Sequence, residues 1–189
     1  MRILLTGATS GIGHAILQHF RRTGSRTVAL GSGKTGSRAR LGLDAQEGQA
    51  NVHFIPVDFR DRSMVSSAVS ALRVPFNSII LCAGIANTYR PYDEVSLDQL
   101  NDVFSVNFFS TTIILNAAKR LLPHGGSIVF ISSNTLKFQG SPFNAGYAAS
   151  KSAAETYGLS IQKDLMARGI RFNVIRPGVI DSGMKNNVA

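Results

Sequence analysis

Six short runs of apolar and β-branched residues recur along the chain, and some are apolar at every position. Ile79-Ile80-Leu81 and Ile128-Val129-Phe130-Ile131 are the clearest cases. Strands buried on both faces have this composition, which is typical of a parallel sheet covered by helices on its two sides. The predicted strands are residues 2–6, 27–31, 52–57, 78–82, 127–132 and 171–176.

Longer amphipathic stretches separate these strands. The predicted helices are residues 11–23, 61–72, 96–122 (as one helix or two) and 147–168. Asp61 and Ser96 are suitable N-caps, whereas Pro123 and Gly169 stand where helices should end. Alternation of strands and helices predicts βαβ units with right-handed crossovers. We therefore expect a single α/β domain over residues 1–189, a doubly wound Rossmann fold with six parallel strands in the order 3-2-1-4-5-6.

Composition excludes several classes of protein. No apolar run approaches the roughly 20 residues that a membrane span needs, and the N-terminal apolar run leads into a glycine turn rather than a signal-peptide cleavage site. One cysteine, Cys82, excludes an internal disulfide framework and favours the cytoplasm. No metal site is expected, because His14, His19, His53 and His124 do not have metal-ligand spacing; the first two are expected at the surface. No Gly-x-Ser-x-Gly elbow points to serine hydrolysis.

Positive charge is concentrated near the N-terminus. The chain has 20 Lys+Arg and 11 Asp+Glu, a net charge of +9, and its first acidic residue is Asp44. Such an excess fits nucleic acid or a phosphorylated small molecule. The bases flank a glycine turn and lack interleaved stacking aromatics, so we expect the small molecule and no nucleic acid. They are Arg2, Arg21, Arg22, Arg26, Lys34, Arg38 and Arg40.

The first predicted strand runs directly into a glycine-rich turn that opens a helix. Glycine there permits a tight turn, close approach of the backbone to a pyrophosphate, and close packing of helix on strand. Free N–H groups and the helix dipole then hold the anion. An ordinary βα turn has similar spacing, but this position in the chain favours a dinucleotide, and a Walker-type NTPase is excluded because no Gly-Lys-Ser/Thr follows. The expected contacts are Gly7, Thr9, Ser10, Gly11, Ile12 and Gly13.

The end of the second strand selects the cofactor. An acidic residue there favours NAD, whereas small or basic residues admit the 2′-phosphate of NADP. This chain has Ser32 and Lys34, with Arg38 or Arg40 nearby, and these side chains are able to hold a phosphate. The same charges would also suit a solvated loop. We predict NADP(H) in preference to NAD(H).

A further set of polar residues indicates catalysis. Tyr147 and Lys151 are four apart on a predicted helix, so their side chains share a face about 6 Å apart. An ammonium there would lower the pKa of the phenol. Such pairs are common by chance, but Ser132-Ser133 ends the fifth strand, and Asn107 interrupts an apolar helix where asparagine is unfavourable.

These features resemble the short-chain dehydrogenase/reductase family, in its compact single-domain branch, along nearly the whole chain. Three residues separate Gly7 from Gly11, as in that family. Ala83-Gly84 matches the second half of its Asn-Asn-Ala-Gly motif, although Leu81 and Cys82 replace the two asparagines. Pro177-Gly178 followed by Ser182 resembles its Pro-Gly-x-x-x-Thr segment.

The resemblance implies hydride transfer between nicotinamide and a carbonyl or secondary-alcohol carbon. Tyr147 would exchange the proton, Lys151 would lower its pKa and hold the nicotinamide ribose, and Asn107 would hold a relay water. Ser133 would orient the carbonyl, with Ser132 and Asn134 as alternatives, because the 14 positions from Ser133 to Tyr147 are one more than the family pattern suggests. Further expected cofactor contacts are Asp58 (at the adenine ring), Phe59, Ala83, Gly84, Tyr147, Lys151, Pro177, Gly178, Val179, Ile180 and Ser182.

The sequence leaves the substrate open. Leu136, Phe138 and Phe143 either line one side of an apolar pocket or pack their loop. The resemblance implies a homodimer or homotetramer formed through the helices near Asn107 and Tyr147, and it implies that the usual substrate lid and seventh strand are missing after Pro177-Gly178. The alternative function is a catalytically weak nucleotide-sensing or scaffold protein with the same fold.

Overall fold

The computed structural model describes residues 1–33, 51–73, 75–86, 90–137 and 143–180. Within these residues one parallel sheet of six strands has the order β3-β2-β1-β4-β5-β6, as predicted. Between β1 and β4 the direction of winding reverses, and ligands of doubly wound sheets bind beyond the carboxyl ends of strands at such a point. The strands are β1 (Arg2–Thr6), β2 (Arg26–Gly31), β3 (Val52–Pro56), β4 (Ser78–Leu81), β5 (Ser127–Ile131) and β6 (Arg171–Ile175).

Helices cover both faces of the sheet. The helix α1 lies on one face, where Leu17 packs with Ile3 and Leu5 of β1. The opposite face carries Leu4 of β1 and a larger core, to which α2, α4 and α5 contribute. The helices are α1 (Gly11–Arg22), α2 (Arg62–Ala71), α3 (Leu97–Phe104), α4 (Ser110–Leu121), α5 (Ala145–Ser160) and α6 (Gln162–Met166), with short 3₁₀ turns at Tyr92–Glu94 and Asn134–Lys137.

Both predicted N-caps are present. The Asp61 carboxylate accepts hydrogen bonds from the backbone N–H groups of Ser63 at 2.9 Å and Met64 at 3.0 Å. Ser96 and Gln99 form a reciprocal capping box. Each cap satisfies N–H groups that the helix leaves free, which stabilises the start of a helix by about 1 kcal/mol.

The predicted helix over 96–122 contains one irregular turn. Residues Ser105–Phe109 form a π turn between α3 and α4, in which the Ser110 N–H bonds to the carbonyl of Ser105, five residues earlier. Such turns are rare and are frequent at functional sites. This one contains Asn107, whose side chain is fully buried.

The last predicted helix also differs in its bounds. Residues 147–168 were expected as one helix, whereas α5 begins at Ala145 and ends at Ser160, and α6 follows as a separate short helix. Tyr147 therefore lies inside the first turn of α5. None of the helices in the described part of the chain has the length and apolar character that crossing a bilayer requires.

Candidate functional site

The glycine turn lies against the carboxyl end of β4. The hydroxyl of Thr6, at the end of β1, accepts hydrogen bonds from the backbone N–H groups of Cys82 at 2.9 Å and Ala83 at 3.0 Å. Gly7 has φ +72°, and a Cβ on it would lie 2.8 Å from the Ala83 nitrogen. The turn is thus joined to the strand beside it, at the edge of the sheet where ligands bind.

This turn fits a dinucleotide pyrophosphate. A Cβ on Gly13 would overlap the carbonyl oxygen of Gly7, so the first turn of α1 approaches the loop as closely as glycine allows. Ser10 has extended backbone, and its side chain does not cap the helix. The first turn contains no acidic residue. Its N–H groups and helix dipole are therefore suited to an anion.

Lys151 is buried beneath the end of β4. Its ammonium donates a hydrogen bond to the carbonyl of Ile131 at 2.9 Å, and a Cβ on Gly84 would lie 3.1 Å from its Nζ. Burial lowers the pKa of Lys151 to about 8, against a smaller opposing effect of the Cys82 thiol. The same burial raises the pKa of Cys82 to about 11.

Ser133 lies beside Tyr147. Burial raises the pKa of Tyr147, and the Ser133 hydroxyl opposes the rise only in part. The prediction that Lys151 would lower this pKa is therefore wrong for the structure, because desolvation outweighs any attraction and the ammonium is bonded to Ile131. The phenol is protonated at neutral pH.

Asn107 fastens the π turn to both neighbouring elements. Its Oδ1 accepts from the Ile85 N–H at 2.9 Å, and its Nδ2 donates to the Ile85 carbonyl at 3.0 Å and to the Ser150 hydroxyl at 2.9 Å. A Cβ on Gly84 would lie 3.3 Å from that Oδ1. Asn107 thus holds the segment after β4 beside the residue that precedes Lys151.

The three alternatives for the carbonyl-orienting residue have different partners in the structure. Ser133 contacts Tyr147 and also the Thr135 hydroxyl, at 2.8 Å. Ser132 is buried and donates to Glu155 at 2.7 Å. Asn134 donates its backbone N–H to Pro177 at 2.9 Å, which joins the segments that follow β5 and β6.

Sequence reasoning missed three residues that support this site: Ser150, Glu155 and Arg176. Ser150 accepts from Asn107 and donates to the Tyr147 carbonyl at 2.8 Å. Glu155 accepts from Ser132 and from Arg176. Glu155 follows Lys151 by the same four residues that separate Lys151 from Tyr147, and this spacing was the available signal.

The other predicted contacts are spread around the same edge of the sheet. Thr9 packs on Gly31, the last residue of β2, beside Ser32. Asp58 is exposed and accepts from the Arg60 N–H at 3.0 Å, whereas Phe59 is buried in the core. Gly178, Val179 and Ile180 are exposed after Pro177, and Phe143 is exposed before α5. Lys34, Arg38, Arg40, Phe138 and Ser182 lie outside the described residues.

The histidines require one correction. His19 is exposed as predicted, whereas His14 is half-buried. Its ring lies 3.4 Å from the Gln18 amide, and its Nδ1 has no hydrogen-bond partner in the described part of the chain. Among the residues that the structure describes, no group of three or more His, Cys, Asp or Glu is able to hold a metal ion.

Comparison with known proteins gives consistent matches. A family model described as short chain dehydrogenase matches residues 1–189. The 3-oxoacyl-[acyl-carrier-protein] reductase FabG of Chlamydia trachomatis is 29% identical over 190 residues, which cover 98% of this chain and 76% of that protein. Serine 3-dehydrogenase of Agrobacterium fabrum is 31% identical over 189 residues, which cover 95% and 72%.

A solved structure gives a similar result. A short chain dehydrogenase from Burkholderia cenocepacia J2315, in complex with NADP, superposes with a TM-score of 0.85 at 28% identity. The match covers 97% of this chain and 76% of that one.

Proposed function

The chain belongs to the short-chain dehydrogenase family, and from that premise we propose that it is an NADP(H)-dependent oxidoreductase that interconverts a ketone and a secondary alcohol of a small molecule. One observation carries the proposal. Asn107, Ser133, Tyr147 and Lys151 converge at the end of β4, beside a glycine turn that fits a dinucleotide.

The cofactor would be held by two groups of residues. The glycine turn, from Gly7 to Gly13, would bind the pyrophosphate, and Lys151 with Tyr147 and residues 177–180 would hold the nicotinamide half. When bound, the cofactor supplies or accepts the hydride. The preference for NADP(H) is supported by the absence of an acidic residue before Asp44, and by the NADP complex of the Burkholderia cenocepacia relative.

Tyr147 would donate the proton in ketone reduction. Its raised pKa keeps the phenol protonated at neutral pH, so the donor is ready before the substrate binds. Ser133, beside Tyr147, would polarise the carbonyl oxygen. Lys151 would hold the nicotinamide ribose, and Asn107 would keep a water that returns the proton to Tyr147 through Lys151.

The variant Tyr147→Phe tests this assignment. NADPH oxidation is followed with a panel of ketones, and Tyr147→Phe should lose turnover by about 100-fold or more while it retains NADPH affinity. Tyr157→Phe is the matched control, because Tyr157 lies on the same helix and its hydroxyl bonds to Asn116 instead. Near-normal turnover by Tyr147→Phe would refute the role of Tyr147. A wild-type chain that binds NADPH but reduces no ketone would favour the nucleotide-sensing alternative.

Cofactor preference has a separate test. The KM for NADPH should be lower than that for NADH with the same ketone, and the opposite order would contradict the preference.

We also propose a homodimer or homotetramer in the cytoplasm. Analytical ultracentrifugation of the purified chain decides the assembly, since a monomer at micromolar concentration would exclude it.

A further inference from the structure

Glu155 is a buried carboxylate that the proposed function does not use. It is third in a series on one face of α5, after Tyr147 and Lys151, at intervals of four residues. Only 4% of its surface is exposed. Acidic residues are almost never buried to this extent unless they are paired, because loss of hydration disfavours their charged form.

Two partners use both oxygens of this carboxylate. The Ser132 hydroxyl donates to Oε2 at 2.7 Å, and Arg176 donates from Nε to the same oxygen at 3.2 Å and from Nη2 to Oε1. The hydrogen bonds from Arg176 hold the pKa of Glu155 below its usual value, although burial opposes them. The pair is therefore ionised at neutral pH, and Arg176 binds in the two-pronged geometry that fixes a guanidinium best.

Both partners occupy equivalent places in the fold. Ser132 is the first residue after β5 and precedes Ser133. Arg176 is the first residue after β6 and precedes Pro177. The segments that follow these two strands are also joined by backbone hydrogen bonds. The N–H of Ser132 donates to the Ile175 carbonyl at 2.8 Å, and the N–H of Asn134 donates to the Pro177 carbonyl at 2.9 Å. Glu155 therefore connects the segments that follow β5 and β6 to the helix that carries Tyr147.

We propose that Glu155 is a positioning residue, which sets Ser133 and residues 177–180 relative to Tyr147 through its bonds to Ser132 and Arg176. The inference rests on the proposed function, because it assigns those two segments to the substrate and to the cofactor. Misplacement of a reacting group by about 1 Å can cost on the order of 100-fold in rate. The hydrogen bonds of Glu155, which connect α5 to both segments, would prevent such a misplacement.

Loss of the Ser132 bond and loss of the Arg176 bond to Glu155 should cause different defects. Ser132→Ala releases the residue before Ser133 and leaves the Arg176 pair intact, so it should lower kcat and leave cofactor affinity unchanged. Arg176→Met releases the segment before Pro177 and should weaken cofactor binding. Glu155→Gln keeps the shape of the side chain but removes its charge, so it should produce both defects.

Each site variant has a control at the other end of the same strand. Ser127 begins β5, where its hydroxyl bonds to Ser78 at 3.0 Å, and Arg171 begins β6 and is exposed. Ser127→Ala and Arg171→Met remove the same groups from the same strands, far from the site. A merely structural role would lower Tm in all variants without changing kcat or Kd of the folded fraction.

The experiment uses the full chain and measures Tm, the Kd for NADPH by fluorescence titration, and kcat with one ketone. We expect Ser132→Ala to lower kcat by about tenfold or more with an unchanged Kd, and Arg176→Met to raise the Kd by about tenfold, both relative to their controls. Arg176→Lys, which keeps the charge but loses the two-pronged geometry, should recover part of the affinity.

Two results would overturn the inference: equal kcat for Ser132→Ala and Ser127→Ala, or equal Kd for Arg176→Met and Arg171→Met. If Glu155→Gln does not fold, the two single-arm variants still decide the matter. Failure of the proposed function is distinguishable, because a wild-type chain without ketone turnover ends that proposal while the two Kd values still test the positioning role of Glu155.

Discussion

Replacement of Lys151 by methionine should change how the stability of this protein depends on pH. Burial lowers the pKa of this ammonium from 10.5 to about 8. Between these two values the unfolded chain holds a proton that the folded chain has released. The free energy of unfolding of the wild-type chain therefore rises with pH across this window.

The size of the effect follows from the pKa difference. At about pH 7 the buried charge costs the folded state roughly 3 kcal/mol, and at about pH 9.5 the remaining cost is roughly 1 kcal/mol. Methionine has similar volume and no charge, so Lys151→Met lacks this cost. It also loses the bond to the Ile131 carbonyl, a pH-independent loss of about 1 kcal/mol.

The assay is urea unfolding of wild type and Lys151→Met at several pH values from about 7 to about 9.5. The stability of the variant relative to wild type should fall by roughly 2 kcal/mol across that range. Lys163→Met, at an exposed position on α6, is the control and should show a constant difference. A constant difference for Lys151→Met as well would refute the argument that this ammonium is desolvated.

Three other substitutions test the packing and the turn. Gly158→Ala places a Cβ in overlap with Cζ at the edge of the Phe172 ring, so we expect a loss of about 1–3 kcal/mol in urea unfolding, and Phe172→Leu in the same chain should recover part of it. Arg120→Met removes two hydrogen bonds, to the carbonyls of Leu72 at 2.6 Å and Val69 at 2.8 Å, and should cost about 2 kcal/mol with faster hydrogen exchange at the end of α2. Gly13→Ala overlaps the Gly7 carbonyl and should weaken NADPH binding by about tenfold or more in fluorescence titration, whereas an unchanged Kd would contradict the fit of the turn.

Local signals in the sequence were sufficient for the fold. Asp61 and Ser96 begin helices because their side chains satisfy nearby N–H groups, and no distant residue is needed for that. Likewise, Ile79-Ile80-Leu81 is buried at every position, as its uniform apolar composition predicts. Order in the sheet then follows from right-handed crossovers between parallel strands.

Properties of the site that depend on tertiary packing could not be predicted in the same way. The spacing of Tyr147 and Lys151 placed them on one face, but the direction of the Tyr147 pKa depends on how deeply the phenol is buried. The choice of Ser133 over Ser132 depends on which hydroxyl faces α5 at Glu155. The π turn was not predicted: Asn107 in an apolar helix was its one sign in the sequence, and the partners of that side chain, Ile85 and Ser150, are distant in sequence.

The π turn at Ser105–Phe109 belongs to the site and is not needed for the packing of α3 and α4. A turn of this kind accommodates one surplus residue while the helices on either side keep their facing. A chain shortened by one residue there would have a straighter and more regular helix, with the apolar sides of α3 and α4 still directed inward. The irregular turn is the place where the buried amide of Asn107 joins this helix to Ile85, after β4, and to Ser150, on α5.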